Sequence, residues 1–373
     1  MVIAVQTRLL AEGLPAGYGD FINELLQRLT RQYPQHQFYF LSDRPLNARL
    51  LEAPVKPLVV GPPARHPLLW KYWLDVKVPL ALKKIKADVF VSLDGLCSLT
   101  TSIPQCLLVP ELLFSKPAGT YPKSHAFFYK RYTPQFLKKA AIIATLSLPA
   151  KNSLVQQYKI APQKIAVLPP AAQEGFQPLE WEAQAAVKAQ YTEGREYFIY
   201  TGSLQPREPL VNLLKAFSFF KKRQQSGMKL VLTGGGTAPG SAFADLLKTY
   251  KYRHDVVVVP DGPERDRMLL LASAYAFVDP VNEDFAVPVL QALQCRVPVL
   301  LARRAGLQEV AGEAALYFDP AQVTDMAHQL MLVYKDETLR SQLIEKGDVL
   351  RKNYSWQQSV AALWHCIADA VKP

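Results

Sequence analysis

The chain has 373 residues, of which 49% are hydrophobic and 20% charged, and its formal net charge is +11. This length predicts two globular domains, and the composition excludes a long disordered tail. The longest uncharged stretch, residues 95–110, is too short to cross a bilayer and contains Pro104, so no membrane-spanning helix is expected.

The positive charge is concentrated in the first half of the chain. Residues 1–180 contain 21 Lys and Arg against 11 Asp and Glu, and the cations mix with aromatic residues at 65–73 and 127–132. This mixture is typical of a surface that contacts anionic lipid headgroups. It fits equally a core of aromatic residues under a solvated lysine face. No nucleic-acid partner is predicted, because no recognition motif accompanies the charge.

The N-terminus and the cysteines indicate the compartment. Residues 2–5 predict a first strand, since no charged segment or cleavage site of a secretory signal accompanies them. The four cysteines lack metal-binding or redox spacing and are interpreted as small buried hydrophobic residues. We therefore expect a cytoplasmic location.

Short β-branched segments alternate with amphipathic ones along the chain, which predicts an α/β fold with parallel sheets covered by helices. The predicted strands are Val2–Val5, Gln37–Leu41, Asp88–Ser92, Ala141–Thr145, Tyr197–Thr201, Lys229–Thr233, Val256–Val259 and Val297–Leu301. Consecutive prolines at 169–170 end a strand, so the domains are expected to be residues 1–170 and 171–354. In such sheets ligands bind beyond the carboxyl ends of the strands, which directs attention to the loops there.

The loop after the first strand contains Gly17 and Gly19 before a predicted helix. Glycines at this position would let the backbone approach a phosphate or a sugar. Ordinary turn chemistry explains them equally well, because the spacing is not the full dinucleotide fingerprint.

Three loops of the second domain are candidates for nucleotide binding. Gly202 and Ser203 form a turn before a helix predicted at 210–223, where a phosphate would fit and Arg207 could pair with its oxygens. Gly234 and Gly262 follow two further strands and could let a flat base lie against the backbone. A solvated arginine and normal strand exits remain the alternatives.

A further loop is predicted to turn into a helix between Glu283 and Gln291. Glu283 would lie at the start of this helix and accept sugar hydroxyls, or would only complement the helix dipole. Gln291 is expected about two turns further on. The loop residues between them that would border the ligand are Phe285, Ala286 and Val287. No D-x-D triplet or metal-ligand spacing occurs, so neither a metal nor a cofactor is predicted.

Taken together, these loops resemble glycosyltransferase family four, the retaining group-one enzymes. The specific part is the segment 283–291, followed by a strand at 297–301 and by L-Q-E-V-A-G-E-A-A-L-Y-F-D-P at 307–320. The resemblance covers nearly the whole chain and implies the GT-B fold, two Rossmann-like domains whose parallel sheets face a central cleft. It also implies that the nucleotide lies on the second domain and that the last helix, within 355–373, returns to the first.

The chain departs from the family in several motifs, and Asp284 and Ala286 stand where the family has two flexible glycines. Pro110-Glu111 stands where an H-D pair is usual, Glu208 replaces the lysine of R-K-N, and Gln291 replaces the second glutamate of E-x7-E. By the resemblance, Arg207 and Glu283 are the retained catalytic residues. Loss of the lysine would remove a favourable charge beside the diphosphate.

Two interpretations follow from this pattern. In the first, the chain transfers a hexose with retention from a nucleoside diphosphate sugar to a glycan or lipid-linked acceptor, without a metal. In the second, it is an inactive relative that serves as a binding or scaffold subunit. The two differ in whether turnover survives the changes at Pro110, Glu208 and Gln291.

Overall fold

The computed structural model describes residues 1–12, 17–46, 54–110, 122–205, 207–235, 241–260, 262–281 and 285–372. The chain forms two compact units. The first unit comprises residues 1–14, 18–170 and 355–373, and the second comprises residues 15–17 and 171–354.

The described part of the first unit contains a seven-stranded sheet. Its strands are β1 (Val2–Gln6), β2 (Gln37–Ser42), β3 (Val55–Val59), β4 (Val89–Ser92), β5 (Gln105–Leu108), β6 (Ile142–Thr145) and β7 (Ile165–Val167). Their order is β3-β2-β1-β4-β5-β6-β7, and every neighbouring pair is parallel. The helices are α1 (Arg8–Glu12), α2 (Tyr18–Gln32), α3 (Pro67–Tyr72), α4 (Val78–Ile85), α5 (Lys123–Lys139) and α6 (Leu148–Tyr158).

The second unit contains a six-stranded sheet among its described residues. Its strands are β8 (Tyr197–Thr201), β9 (Lys229–Gly234), β10 (Val256–Pro260), β11 (Ala276–Asp279), β12 (Val299–Ala302) and β13 (Ala315–Phe318). They are parallel in the order β10-β9-β8-β11-β12-β13. The helices are α7 (Trp181–Thr192), α8 (Glu208–Gln224), α9 (Ala242–Lys248), α10 (Glu264–Ala272), α11 (Val287–Gln294), α12 (Ala305–Ala311), α13 (Val323–Lys335) and α14 (Glu337–Leu350).

Both faces of the second sheet are buried, which explains why its strands are continuously apolar. Side chains alternate along β8, so Ile199 joins one core cluster and Phe198 and Tyr200 join the other. Each cluster is closed by the apolar face of the helices that cover it. The sheet is therefore a rigid support for the loops at its ends.

The last helix, α15 (Trp356–Val371), packs within the first unit. Trp356 stacks on Phe21 with ring centroids 5.4 Å apart, and Trp364 stacks on Tyr33 at 3.9 Å. The Ser359 hydroxyl donates a hydrogen bond to the carbonyl oxygen of Pro169 at 2.7 Å. The chain thus returns to the first unit after crossing the second.

The predicted fold class of parallel sheets covered by helices is confirmed, while two local details differ. Helix α2 begins at Tyr18, so Gly19 is its second residue rather than a loop residue. Helix α8 begins at Glu208, two residues before the predicted start. Within the described ranges, no helix combines the length and hydropathy needed to cross a membrane.

Candidate functional site

The second sheet has a switch in strand order between β8 and β11, where successive strands are added in opposite directions. Ligands of open parallel sheets bind beyond the carboxyl ends of the strands at such a switch. The predicted residues Gly202, Gly234, Gly262 and Phe285 follow or end β8, β9, β10 and β11. The fold therefore gathers these loops along one edge of the sheet.

The glycine turns after β8 and β9 pack directly against each other. The Gly202 amide donates to the Thr233 carbonyl at 2.9 Å, and the Leu204 amide donates to the Gly235 carbonyl at 2.8 Å. Gly234 has a φ of +144°, and a Cβ atom built on it would lie 1.8 Å from the Gly202 carbonyl oxygen. Only glycine allows this approach of two backbones.

Helix α8 directs its N-terminus to this edge, and its first residues carry opposite charges. Arg207 is the N-cap residue, is exposed, and donates from Nη2 to Oε1 of Gln205 at 3.1 Å. Glu208 is the first helical residue and is also exposed. The free amides and the dipole of a helix N-terminus favour an anion, and Glu208 opposes that preference.

Helix α11 begins at Val287 with Ala286 as its N-cap, so Gln291 lies little more than one turn from the start and not two. Gln291 is buried, and its Nε2 donates to Oε1 of Gln173 at 3.1 Å. The structure thus gives this amide a protein partner. Glu283 lies outside the described residues.

Phe285 precedes α11 and is half-buried. Gly17 groups with the second unit, has a φ of +97°, and a Cβ atom on it would lie 3.3 Å from the Phe285 ring. These two predicted residues are brought together. Gly19, in contrast, belongs to α2 of the first unit.

Two further arginines follow β12, which neighbours β11 at the same edge. Arg303 is exposed and donates from Nη2 to the Tyr317 carbonyl at 3.4 Å, and Arg304 is the N-cap of α12. Both carry positive charge at the edge that holds Arg207. Gly262 precedes α10, and a Cβ atom on it would meet nothing closer than 3.8 Å.

The first unit has a buried polar cluster that sequence reasoning missed, at the carboxyl ends of β1 and β4. Arg8 lies 3.4 Å from Oδ2 of Asp94, and both side chains are almost fully buried. Asp94 also accepts hydrogen bonds from Gln6, from the Ser92 hydroxyl at 2.9 Å and from the Leu96 amide at 3.0 Å. The signal available in the sequence was that Arg8 and Asp94 are charged and each lies two positions after the end of a buried strand, β1 or β4.

Burial of Asp94 raises the pKa of its carboxyl group, because a low-dielectric environment disfavours the charged form. Arg8 and the hydrogen bonds from Ser92 and Leu96 act in the opposite direction.

Of the family position at 110–111, only Pro110 is described, and it is buried after β5. In the described ranges no group of three or more potential metal ligands occurs.

Residues 183–349 match the protein family described as Glycosyl transferases group 1. A curated relative, the O-antigen chain mannosyltransferase B of Escherichia coli, is 23% identical over 239 residues. This alignment covers 64% of the chain and 63% of the relative, so the chain spans somewhat less than two thirds of that protein.

Two solved structures share the fold over nearly their whole length. A glycosyltransferase from Rickettsia africae has a TM-score of 0.74 at 13% identity, covering 100% of this chain and 98% of the other. The Anabaena protein HepE, in complex with UDP-glucose, has a TM-score of 0.75 at 13% identity, covering 98% and 99%. The two parallel sheets, their strand order and these similarities show that the chain has the GT-B fold, and residues 183–349 match the group 1 glycosyltransferases.

Proposed function

We propose that this protein is a retaining glycosyltransferase that moves a hexose from a nucleoside diphosphate sugar to a glycan or lipid-linked acceptor. The observation that carries the proposal is the packed pair of glycine turns at Gly202 and Gly234, beside the N-terminus of α8, at the switch point of the second sheet. The named activity of the E. coli relative and the UDP-glucose bound to the Anabaena protein support it.

In the proposed site, the departing diphosphate lies over the Gly202-Ser203 turn and receives charge from Arg207, with Arg303 and Arg304 as further cations. Stabilisation of the leaving group requires positive charge in place and no particular residue type. Gly234 and Gly262 border the base, Gln291 faces the ribose, and Phe285, Ala286 and Val287 line the approach to the sugar. Glu283 orients the donor sugar.

We also propose that the protein works in the cytoplasm, at the inner face of a membrane that presents a lipid-linked acceptor. The basic first half of the chain supports contact with anionic lipid. The alternative of an inactive scaffold subunit finds no support in the comparisons.

Calorimetry with UDP, GDP and ADP sugars tests the donor site. We expect one nucleotide to bind with a Kd of tens of micromolar or weaker, since Glu208 opposes the phosphates. A ligand at about 100 times its Kd stabilises the folded state by roughly 2.7 kcal/mol, which thermal unfolding detects. If no nucleotide raises the melting temperature at millimolar concentration, the proposed donor site is wrong.

The anomeric configuration of the product, read by NMR, tests retention.

Glu208→Lys is expected to tighten nucleoside diphosphate binding more than any other single change at this edge. The substitution removes a repulsion and adds an attraction; a pair of unit charges 4 Å apart is worth up to about 4 kcal/mol at an effective dielectric of 20. Because residue 208 is exposed, solvent screening reduces this to a roughly tenfold gain in affinity. Calorimetry at low and high salt measures the gain and its screening.

Glu182→Lys is the matched control, because Glu182 is also an exposed acid in the first turn of a helix, α7. It should cost the same helix-dipole stabilisation and leave nucleotide affinity unchanged. If Glu208→Lys binds nucleotide more weakly than the unchanged protein, Glu208 contributes to nucleotide binding. The proposal that Glu208 opposes the phosphates would then be wrong.

Gln291→Glu is expected to improve nucleotide affinity less than Glu208→Lys and to destabilise the free protein. The new carboxylate would be buried facing Gln173, and burial raises a carboxyl pKa above its unfolded value of about 4.3. A raised folded pKa means that the stability penalty is absent below pH 4 and grows as the pH rises.

Thermal unfolding of Gln291→Glu and the unchanged protein between about pH 4.5 and 8 measures this penalty. Saturating nucleotide should reduce it, because ribose hydroxyls would donate to the carboxylate. A deficit that does not vary with pH would contradict a buried carboxylate at this position.

A further inference from the structure

The helical segment 67–85 of the first unit is apolar on both of its faces. Pro67, Trp70, Trp73 and Val78 are buried on one side, and the indole nitrogens of Trp70 and Trp73 donate to the carbonyls of Ala64 and Val60. The other side exposes the residues that we call the apolar stripe, Leu68, Leu69, Tyr72, Val76 and Leu80. Leu68 is 76% exposed and Leu80 is 62% exposed.

The local geometry keeps this stripe on one side of the helix. In a regular α-helix, two residues four positions apart point in directions that differ by about 40°. Over the twelve positions from Leu68 to Leu80 this difference would add up to about 120°, so the two side chains would lie on different sides of the helix. A π-helical turn, Trp73–Lys77, joins α3 to α4, and its wider turn offsets the drift across Tyr72 and Val76. The side of the helix that carries Trp70 and Trp73 packs against the core of the first unit, so core packing does not explain why the opposite, exposed side is also apolar.

Helix α5 lies beside the stripe helix and adds both apolar surface and charge. The Trp70 ring meets the rings of His125 and Phe128 at 4.9 and 5.4 Å, while Phe127 is 69% exposed. Residues 65–86 and 123–139 together contain eleven Lys and Arg and one acidic residue, Asp75. This net charge of +10 compares with +11 for the whole chain.

We propose that the apolar stripe, with the cations of α4 and α5, is a docking surface for an anionic phospholipid bilayer. A second copy of the chain would bring two surfaces of net charge +10 together, which is unfavourable. A nucleic acid would match the charge but offers nothing to exposed leucine and valine side chains. A bilayer interface accepts the aliphatic residues among its acyl chains and the lysines among its headgroups.

This inference rests on the proposed function, in which the acceptor is held at a membrane. Vesicle binding can nevertheless be measured without a nucleotide sugar, so the two proposals can be tested separately. Co-sedimentation with phosphatidylcholine vesicles, with and without about 30% phosphatidylglycerol, tests it directly. We expect sedimentation with the anionic vesicles, weak sedimentation with neutral ones, and release as NaCl is raised from about 0.05 to 0.5 M.

Two pairs of substitutions separate the apolar and charged contributions. Leu68→Ser with Leu80→Ser should weaken vesicle binding roughly tenfold or more, because both side chains leave the acyl region. Lys83→Glu with Lys84→Glu should weaken it about 30-fold, at roughly fivefold per basic residue lost and with added repulsion. All four residues are exposed, and thermal unfolding checks that each variant is folded.

The matched controls use the same changes elsewhere. Leu148→Ser with Val349→Ser replaces two exposed aliphatic residues, and Lys222→Glu with Arg223→Glu reverses two exposed cations in the last turn of α8, as Lys83 and Lys84 lie in the last turn of α4. Both controls should bind anionic vesicles as the unchanged protein does.

The proposal is overturned if anionic vesicles do not sediment the protein, or if the stripe and lysine variants bind as well as their controls. Retention of duplex DNA without vesicle binding, or a dimer that the stripe variant dissociates, would assign the surface to another partner. Nucleotide calorimetry on the same preparations separates the two claims. If the protein binds vesicles but no nucleotide, the docking-surface proposal is supported and the proposed transferase function is wrong. If it binds nucleotide but no vesicles, only the docking-surface proposal is wrong.

Discussion

Gly234→Ala is expected to lower the free energy of unfolding of the second unit by about 3 kcal/mol or more and to abolish nucleotide binding. A Cβ atom at residue 234 would lie 1.8 Å from a backbone oxygen, that of Gly202, and the residue would keep a φ of +144°. Backbone cannot move aside as a flexible side chain can, so the β8 and β9 turns must separate. Thermal unfolding and nucleotide calorimetry measure the two effects.

Gly262→Ala is the control for this prediction. It alters a glycine at the same edge, but its Cβ atom would meet only ordinary contacts, with the Pro260 carbonyl oxygen at 3.8 Å and Asp266 at 3.9 Å. We expect a change in stability below about 1 kcal/mol. If Gly234→Ala unfolds no more easily than Gly262→Ala, the close packing of the two glycine turns does not exist in solution.

Arg8→Met is expected to destabilise the first unit by about 3–5 kcal/mol at neutral pH, because it leaves Asp94 buried without its cation. Arg8 also donates to the Ala64 carbonyl and lies over the Trp70 ring at 5.2 Å, so methionine preserves part of the packing. Denaturant unfolding at several pH values measures the loss.

The pH dependence follows from the raised pKa of Asp94. Burial already favours its neutral form, and removal of Arg8 takes away the largest opposing influence, so the folded pKa rises further above the unfolded one. A group of this kind imposes no penalty below its unfolded pKa, and its penalty grows as the pH rises. The deficit of Arg8→Met should therefore be smallest near pH 4 and largest near neutrality.

Pairing Arg8→Met with Asp94→Asn provides the control. This double variant removes the buried charge together with its partner and should recover most of the lost stability. A deficit in Arg8→Met that stays constant with pH, or a double variant less stable than the single, would show that lost packing at Arg8 outweighs the unpaired carboxylate.

The amino-acid sequence determined the fold class and the positions of the glycine-containing loops that follow the strands of the second unit. Apart from the edge strands β3 and β10, most strand residues of both sheets are buried, so their apolar runs are visible in the sequence. The strand at 55–59 was not predicted, because Pro57 and Lys56 break the apolar run; it lies at the edge of the first sheet, where proline is tolerated. The predicted strands also lack those at 105–108, 165–167, 276–279 and 315–318, which are only three or four residues long and give too short a periodic signal.

Only the tertiary structure decided which of these residues meet. Gly202 and Gly234 are 32 positions apart in the sequence, and their backbone contact arises because β8 and β9 are paired in parallel register. The partner of Gln291, the burial of Arg8 against Asp94, and the exposure of Leu68 and Leu80 likewise depend on packing between distant segments. Residue type and local periodicity specify which side chains can be buried, whereas the order of the strands specifies what each one is buried against.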